Sequence, residues 1–378
     1  MSLRILIVPD KFKGTLTAQQ ATAVIARGWA EVRPEDRIEE LPMADGGDGF
    51  GEVFGRLLGA RRETCATVDC AGRPRAAEWW FEPGAGIAVI ETAQVNGLAL
   101  FLEGQPHPHP FELDTFGVGA VLGAAQQAGA RRVYLGLGGS ATNDGGFGLA
   151  RALGWTFRDA RGDELRAWTE LDRLETVAPP RAPLPFDELT LAVDVANPLL
   201  GPNGATYVYG PQKGLSAEHG DLEKAEGCLR RLAAVIAKHS GVDAALEAGA
   251  GAAGGLGFGL KAFCGGAFRS GGEIFATLSN LERRIRDADV VITAEGSMDA
   301  QTLMGKGVGV IAEAAARAGK RCLCLAGSVL VDPARVPWPR FQAFAIVPDI
   351  APLEEAKAHA GDCLRRLAAH AAGELSRA

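Results

Sequence analysis

Residues 136–146 read GLGGSATNDGG, and this glycine-rich stretch joins two segments of different grammar. Arg131-Arg132-Val133-Tyr134-Leu135 before it is a short apolar run rich in β-formers, and 147–153 after it has the pattern of a helix start. A strand, a glycine loop and a helix in that order narrow the chain to α/β architectures. Glycines at such a junction let successive backbone N–H groups converge, which makes an anion cradle. Ser140, Thr142 and Asn143 add side-chain donors, and Asp144 adds a carboxylate suited to reach a metal ion. The loop lacks the Gly-Lys-Ser/Thr of a Walker A motif and the Gly-x-Gly-x-x-Gly spacing of a dinucleotide fold.

The two ends of the chain share one grammar. Residues 3–8 (LRILIV), 37–41, 289–293 (DVVIT), 321–326 and 343–347 are apolar runs of the parallel-sheet kind. Helical patterns separate them at 18–32, behind Thr17 as N-cap, and at 50–58, 307–318 and 352–375. The middle differs: 64–68, 76–81 and 87–92 are short alternating strands with turn signals between them. A small-residue helix at 116–128, a strand at 189–193 and helices at 217–240 and 255–263 follow, with 162–185 an irregular excursion and 210–214 a polar loop. The expected fold is therefore α/β with two α/β domains. A discontinuous, doubly wound Rossmann-like parallel-sheet domain takes 1–60 and 285–378, and a mixed-sheet domain, 61–284, is inserted in it.

Length and composition agree: 378 residues accommodate two domains, and 47% apolar with 22% charged residues is the balance of a globular enzyme. A net charge of −7 argues against a nucleic-acid binder but leaves room for a locally positive pocket. No apolar run reaches the roughly 18 residues of a membrane span. The seven cysteines are odd in number, and Cys322 and Cys324 alternate in a buried strand, so packing is their expected role. With no leader pattern at the start, the expectation is a reduced, cytoplasmic protein without nucleic-acid or membrane partners. A homo-oligomer is left open.

Polar, glycine-rich loops follow the strands. Asp10-Lys11-Phe12-Lys13-Gly14 offers a carboxylate and two ammonium groups, and Asp45-Gly46-Gly47-Asp48 offers two carboxylates. Glu295-Gly296-Ser297-Met298-Asp299 offers two more, with Lys306 beyond, and Asp194 to Asn197 and Gln212-Lys213-Gly214 lie in the middle region. Carboxylates hold Mg²⁺ and take a hydroxyl proton, while lysines and N–H groups balance phosphate charge, so this set points to phosphoryl transfer. The GAGAAGGLGFG run at 249–259 reads either as another ligand-facing loop or as close helix packing, with packing favoured. His107 and His109 alternate with prolines and have no metal spacing.

Taken in order, these loops resemble the type I family of bacterial glycerate kinases, and the likeness spans nearly the whole chain. The resemblance implies two α/β domains with the active site in the cleft between them, ATP and Mg²⁺ as cosubstrate and metal, and D-glycerate as the acceptor, converted to 2-phosphoglycerate. By position it implies Asp45, Asp194 and Lys213 as catalytic residues, with Asp45 and Asp194 also holding metal. Gly138, Gly139, Ser140, Ala141, Thr142 and Asn143 would take the nucleotide phosphates, and Asp10, Lys11, Lys13, Asn197 and Glu295 the substrate. One loop departs from the family pattern: Ser297 stands where an Arg is usual, so a guanidinium is missing, and if that Arg holds a carboxylate or phosphate bidentately Ser297 cannot replace it. Two rivals stay open, a kinase of the same fold acting on another small hydroxy acid and a dinucleotide-dependent oxidoreductase. A non-catalytic sensor of sugar acids is a further, weaker reading.

Overall fold

The computed structural model describes residues 2–101, 107–182, 186–241, 243–303, 307–332 and 335–377. Its strands, in chain order, begin with β1 (Arg4–Pro9), β2 (Arg37–Glu40), β3 (Arg61–Val68), β4 (Pro74–Glu82) and β5 (Ile87–Glu91). The middle holds β6 (Arg132–Gly136), β7 (Thr156–Asp159), β8 (Leu174–Ala178), β9 (Glu188–Ala192) and β10 (Ala267–Arg269). The chain closes with β11 (Val290–Met298), β12 (Arg321–Val329) and β13 (Phe341–Val347). They divide between two compact units, 1–44 with 275–378, and 45–274.

The first unit is a five-stranded, wholly parallel sheet of order β13-β12-β11-β1-β2. Its central strands are apolar on both faces because helices cover both. Ile5, Ile7, Ile292, Leu323 and Leu325 pack with Ile25, Trp29 and Leu367 from the helices Ala18–Val32 and Ala360–Arg377. Cys324, Ala326 and Met298 pack on the opposite side with Val308, which opens the helix Val308–Arg317. Thr17 caps the first helix in a complete capping box with Gln20. The expected helix at 352–375 is two, Leu353–Ala358 and Ala360–Arg377. The expected strand at 289–293 runs on to Met298, since Ser297 and Met298 still pair with Ser328 and Val329 of β12.

The second unit holds a six-stranded mixed sheet of order β10-β9-β6-β5-β4-β3. The β3-β4-β5 end is antiparallel and the β5-β6-β9-β10 end parallel. The helix Phe50–Leu57, which the sequence assigned to the outer domain, belongs to this unit because Gly51 and Gly55 lie directly on the Trp80 ring of β4. Over its described residues, 162–182, the expected excursion carries regular structure: β8 pairs antiparallel with β7 on the far side of a short 3₁₀ segment, Trp168–Arg173, whose Trp168 is core. Among the described residues no helix is long and apolar enough to cross a membrane.

Candidate active site

In the unit 45–274, three loops meet at the carboxyl ends of β5, β6 and β9. Backbone carries much of the contact. A Cβ on Gly138 would collide with the Gly47 α-carbon, and one on Gly46 would sit 2.8 Å from the Ala192 carbonyl oxygen. Glu91, buried at the end of β5, fixes the first loop by accepting from the Gly49 amide at 3.2 Å and the Gly51 amide at 3.0 Å. Sequence reasoning passed over Glu91, although its place as an acid closing an apolar strand was the available signal.

This packing brings Asp45 and Asp194 together. The backbone of Gly271 lies against the Asp45 carbonyl, and Asp194 accepts from Ser270 Oγ at 3.4 Å. Asp194 opens to solvent on one side, yet desolvation by the surrounding protein comes first in pushing its carboxyl up to about 7, with the Asp45 charge second. Amides of Gly271 and Gly272, at the start of the helix Gly271–Leu278, pull the other way.

The expected phosphate loop is split by burial. Gly138 and Gly139 reach the surface, and Ser140 is 8% exposed, whereas Ala141, Thr142 and Asn143 are wholly buried. Lys213 reaches the loop from within. It donates to Ser140 Oγ at 3.0 Å and to the Thr142 carbonyl at 2.7 Å. The sequence placed Lys213 in a polar loop, but it is the last residue of the helix Ala205–Lys213, ended by Gly214 at φ +107°. Burial pushes its ammonium down to about 7, and the Asp144 charge works against that shift.

Asp144 does not face a metal, contrary to expectation. It is fully buried, and its oxygens are engaged by the Thr115 amide (2.9 Å) and hydroxyl (2.8 Å) and by the amides of Gly146 (3.2 Å) and Gly148 (2.9 Å). The run at 249–259 acts in packing: Gly254 lies on the Thr142 carbonyl, and its own carbonyl accepts from the Gly145 amide at 3.1 Å. Asn197 is engaged by protein as well, donating to the Asn203 carbonyl at 2.8 Å and accepting from the Tyr209 hydroxyl at 2.6 Å.

The unit 1–44 with 275–378 carries its own set at the ends of β1 and β11. The Asp10 amide binds the Ala294 carbonyl at 2.8 Å, and the Asp10 carboxylate accepts from the Lys11 amide at 2.7 Å. Phe12 between the two lysines is core, which leaves Lys11 half-buried and Lys13 exposed. Glu295 accepts from the Thr302 hydroxyl at 2.8 Å. Burial raises its carboxyl to about 7, Asp10 and Asp299 add to this, and Thr302 opposes it. Ser297 accepts from Ser328 Oγ at 3.3 Å. Lys306 lies outside the described residues.

Among the described residues no three His, Cys, Asp or Glu side chains form a metal-binding group. A pair such as Asp45 and Asp194 fits Mg²⁺ all the same, because that ion keeps several waters and takes one or two carboxylates besides substrate phosphates.

Comparison with known proteins identifies the family. A model of the glycerate kinase family matches residues 5–376. A glycerate kinase of Bacillus subtilis is 36% identical over 378 residues, covering 99% of this chain and 98% of its own. A glycerate 2-kinase of Escherichia coli K12 is 35% identical, with the same shares covered. A solved structure described as glycerate kinase 2 from Salmonella typhimurium LT2 superposes with a TM-score of 0.80 at 33% identity, covering 100% of this chain and 99% of its own.

Proposed function

The chain belongs to the glycerate kinase family, and from that premise we propose that it transfers the γ-phosphoryl group of ATP to the 2-hydroxyl of D-glycerate. The observation that carries this reading is the Asp45–Asp194 carboxylate pair in the same unit as a glycine loop backed by a buried lysine. In the reaction the bond from the γ-phosphorus to the bridging oxygen of ATP breaks, and its electron pair leaves with ADP. The glycerate hydroxyl oxygen bonds to phosphorus, and its proton passes to a carboxylate.

We assign the chain's residues as follows. Asp45 and Asp194 hold Mg²⁺ and supply the carboxylate that takes the proton. Bound there, Mg²⁺ would offset phosphate charge. Gly138, Gly139 and Ser140 present the loop to phosphate, and Thr142 and Asn143 support it from inside. Lys213 places a positive charge behind that loop, where low dielectric strengthens its pull on developing negative charge. Asp10, Lys11, Lys13 and Glu295 are assigned to the substrate. Asn197, whose amide already binds Asn203 and Tyr209, shapes its loop.

The test is ADP release with Mg-ATP and D-glycerate, followed by phosphorus NMR of the product. Phosphate on the 2-hydroxyl is the expected result. Folded protein without turnover on D-glycerate, but with turnover on another hydroxy acid, would replace the acceptor and put the weight on the Ser297 strand.

A further inference from the structure

Asp144 is a charged side chain with no exposed surface, and it lies two residues along the chain from the carbonyl that Lys213 grips. Four donors hold it. Two come from Thr115, at the head of the helix Phe116–Gln127, and two from the turn that starts the helix Phe147–Ala152. Thr115 Oγ1 also accepts from the Leu149 amide at 3.0 Å, so one carboxylate ties both helix starts to the glycine loop. A buried carboxylate so well satisfied has no room for substrate or metal. Its charge is nevertheless felt by Lys213.

We propose that Asp144 is a positioning residue of the transfer reaction, one that locks the turn at 145–148 and keeps the Lys213 ammonium charged. This rests on the assignment of Lys213 given above. Asp144 is the charged neighbour acting on Lys213. Asp144 in turn is pushed up to about 6, first by burial and then by Asp114, whose carboxylate lies 3.9 Å from the Arg151 guanidinium. At neutral pH and above, Asp144 is therefore mainly ionised. Without its charge, burial alone acts on Lys213 and the amine loses its proton at lower pH.

The test is Asp144→Asn, read by carbon NMR of ligand-free protein labelled at the lysine ε-carbons, with the Lys213 resonance identified by its absence from Lys213→Met. The expected result is a Lys213 midpoint below the parent's, since losing a neighbouring opposite charge leaves burial unopposed. The alkaline limb of turnover is expected to move the same way, an approximately tenfold loss per unit on that limb. A purely structural Asp144 would lower activity without moving either midpoint, and that outcome overturns the proposal. Lys213→Met supplies a second arm if Asp144→Asn fails to fold. With the cation gone the Asp144 carboxyl is expected to titrate higher than in the parent, and an unchanged midpoint overturns the proposal. A shifted Lys213 midpoint with an unmoved turnover profile would support the coupling and remove Lys213 from the transfer step.

Discussion

Lys213 and Thr142 are joined by a 2.7 Å hydrogen bond from a buried ammonium to a buried backbone carbonyl, far apart in sequence and adjacent in the fold. A charge placed there costs desolvation, which is why burial drives the amine down to about 7. Such a cost is tolerated where the charge is used, and the glycine loop above it is where phosphate would sit.

Lys213→Met keeps the length and removes the charge. Turnover is expected to fall by about 10²–10³, the usual loss when one preorganised donor is removed, while the circular dichroism spectrum stays that of the parent. Lys213→Arg is not expected to rescue, because the guanidinium is broader than the ammonium it replaces and the site is closed. Near-parental kcat in either variant would take Lys213 out of the mechanism.

Asp194 links activity to stability. Desolvation, with Asp45 second, holds its carboxyl near 7 in the fold against 3.8 as the ordinary value. The folded state then keeps a proton that the unfolded chain has lost, so this group subtracts stability as pH rises from about 4 through 7. Asp194→Asn escapes that penalty. Its melting temperature is expected to gain on the parent's as pH is raised from about 4 to 8, in metal-free buffer. Turnover is expected to drop at least about 10²-fold, and Asp45→Asn to raise the Mg²⁺ concentration needed for half-maximal rate. A variant melting temperature that does not gain on the parent's as pH rises, or an unchanged Mg²⁺ requirement, would break these assignments.

Glu295 gives an independent check in the other unit. The Thr302 hydroxyl at 2.8 Å lowers its pKa against burial, Asp10 and Asp299, and the balance is about 7. Thr302→Val removes the opposing hydrogen bond, so the carboxyl is expected to titrate above its parental midpoint by carbon NMR. If Glu295 must be ionised to meet substrate, the acid limb of kcat/KM moves up in pH with it. A moved NMR midpoint with a fixed kinetic limb would confine Glu295 to a structural role.

The fold was legible where the signal is local. The run at 3–8, Thr17 as a cap and the shift from long apolar runs to short alternating ones all follow from residue order, and β1, the helix Ala18–Val32 and β3 to β5 stand where those signals put them. Contacts set by tertiary packing were not legible. Gly51 and Gly55 lie on Trp80, which moves a helix between units, and nothing near residue 50 announces that. Likewise Asp144 and Thr142 read as polar loop residues, whereas the fold turns both inward and leaves Gly138 and Gly139 at the surface. Composition names the donors in a loop; only packing decides which of them point out.

Gly254 tests that packing directly. Its φ of +66° belongs to the left-handed region, and a Cβ there would strike the Thr142 carbonyl that Lys213 grips. Gly254→Ala must therefore strain its own backbone and also displace a carbonyl on which a buried cation depends. Backbone strain of this kind costs about 1–3 kcal/mol, and a domain of this size loses about 2–4 °C for each kcal/mol, so a melting drop of roughly 2–12 °C is expected. Activity should fall further than the folded fraction alone explains, because the Lys213 anchor moves. Gly123→Ala is the control: it lies within the helix Phe116–Gln127, its added Cβ meets nothing within 4 Å, and helix propensity favours alanine. It should melt at or above the parent's temperature with full turnover. If Gly254→Ala behaves like Gly123→Ala, the loop at 136–146 is not held from behind by the 249–259 run.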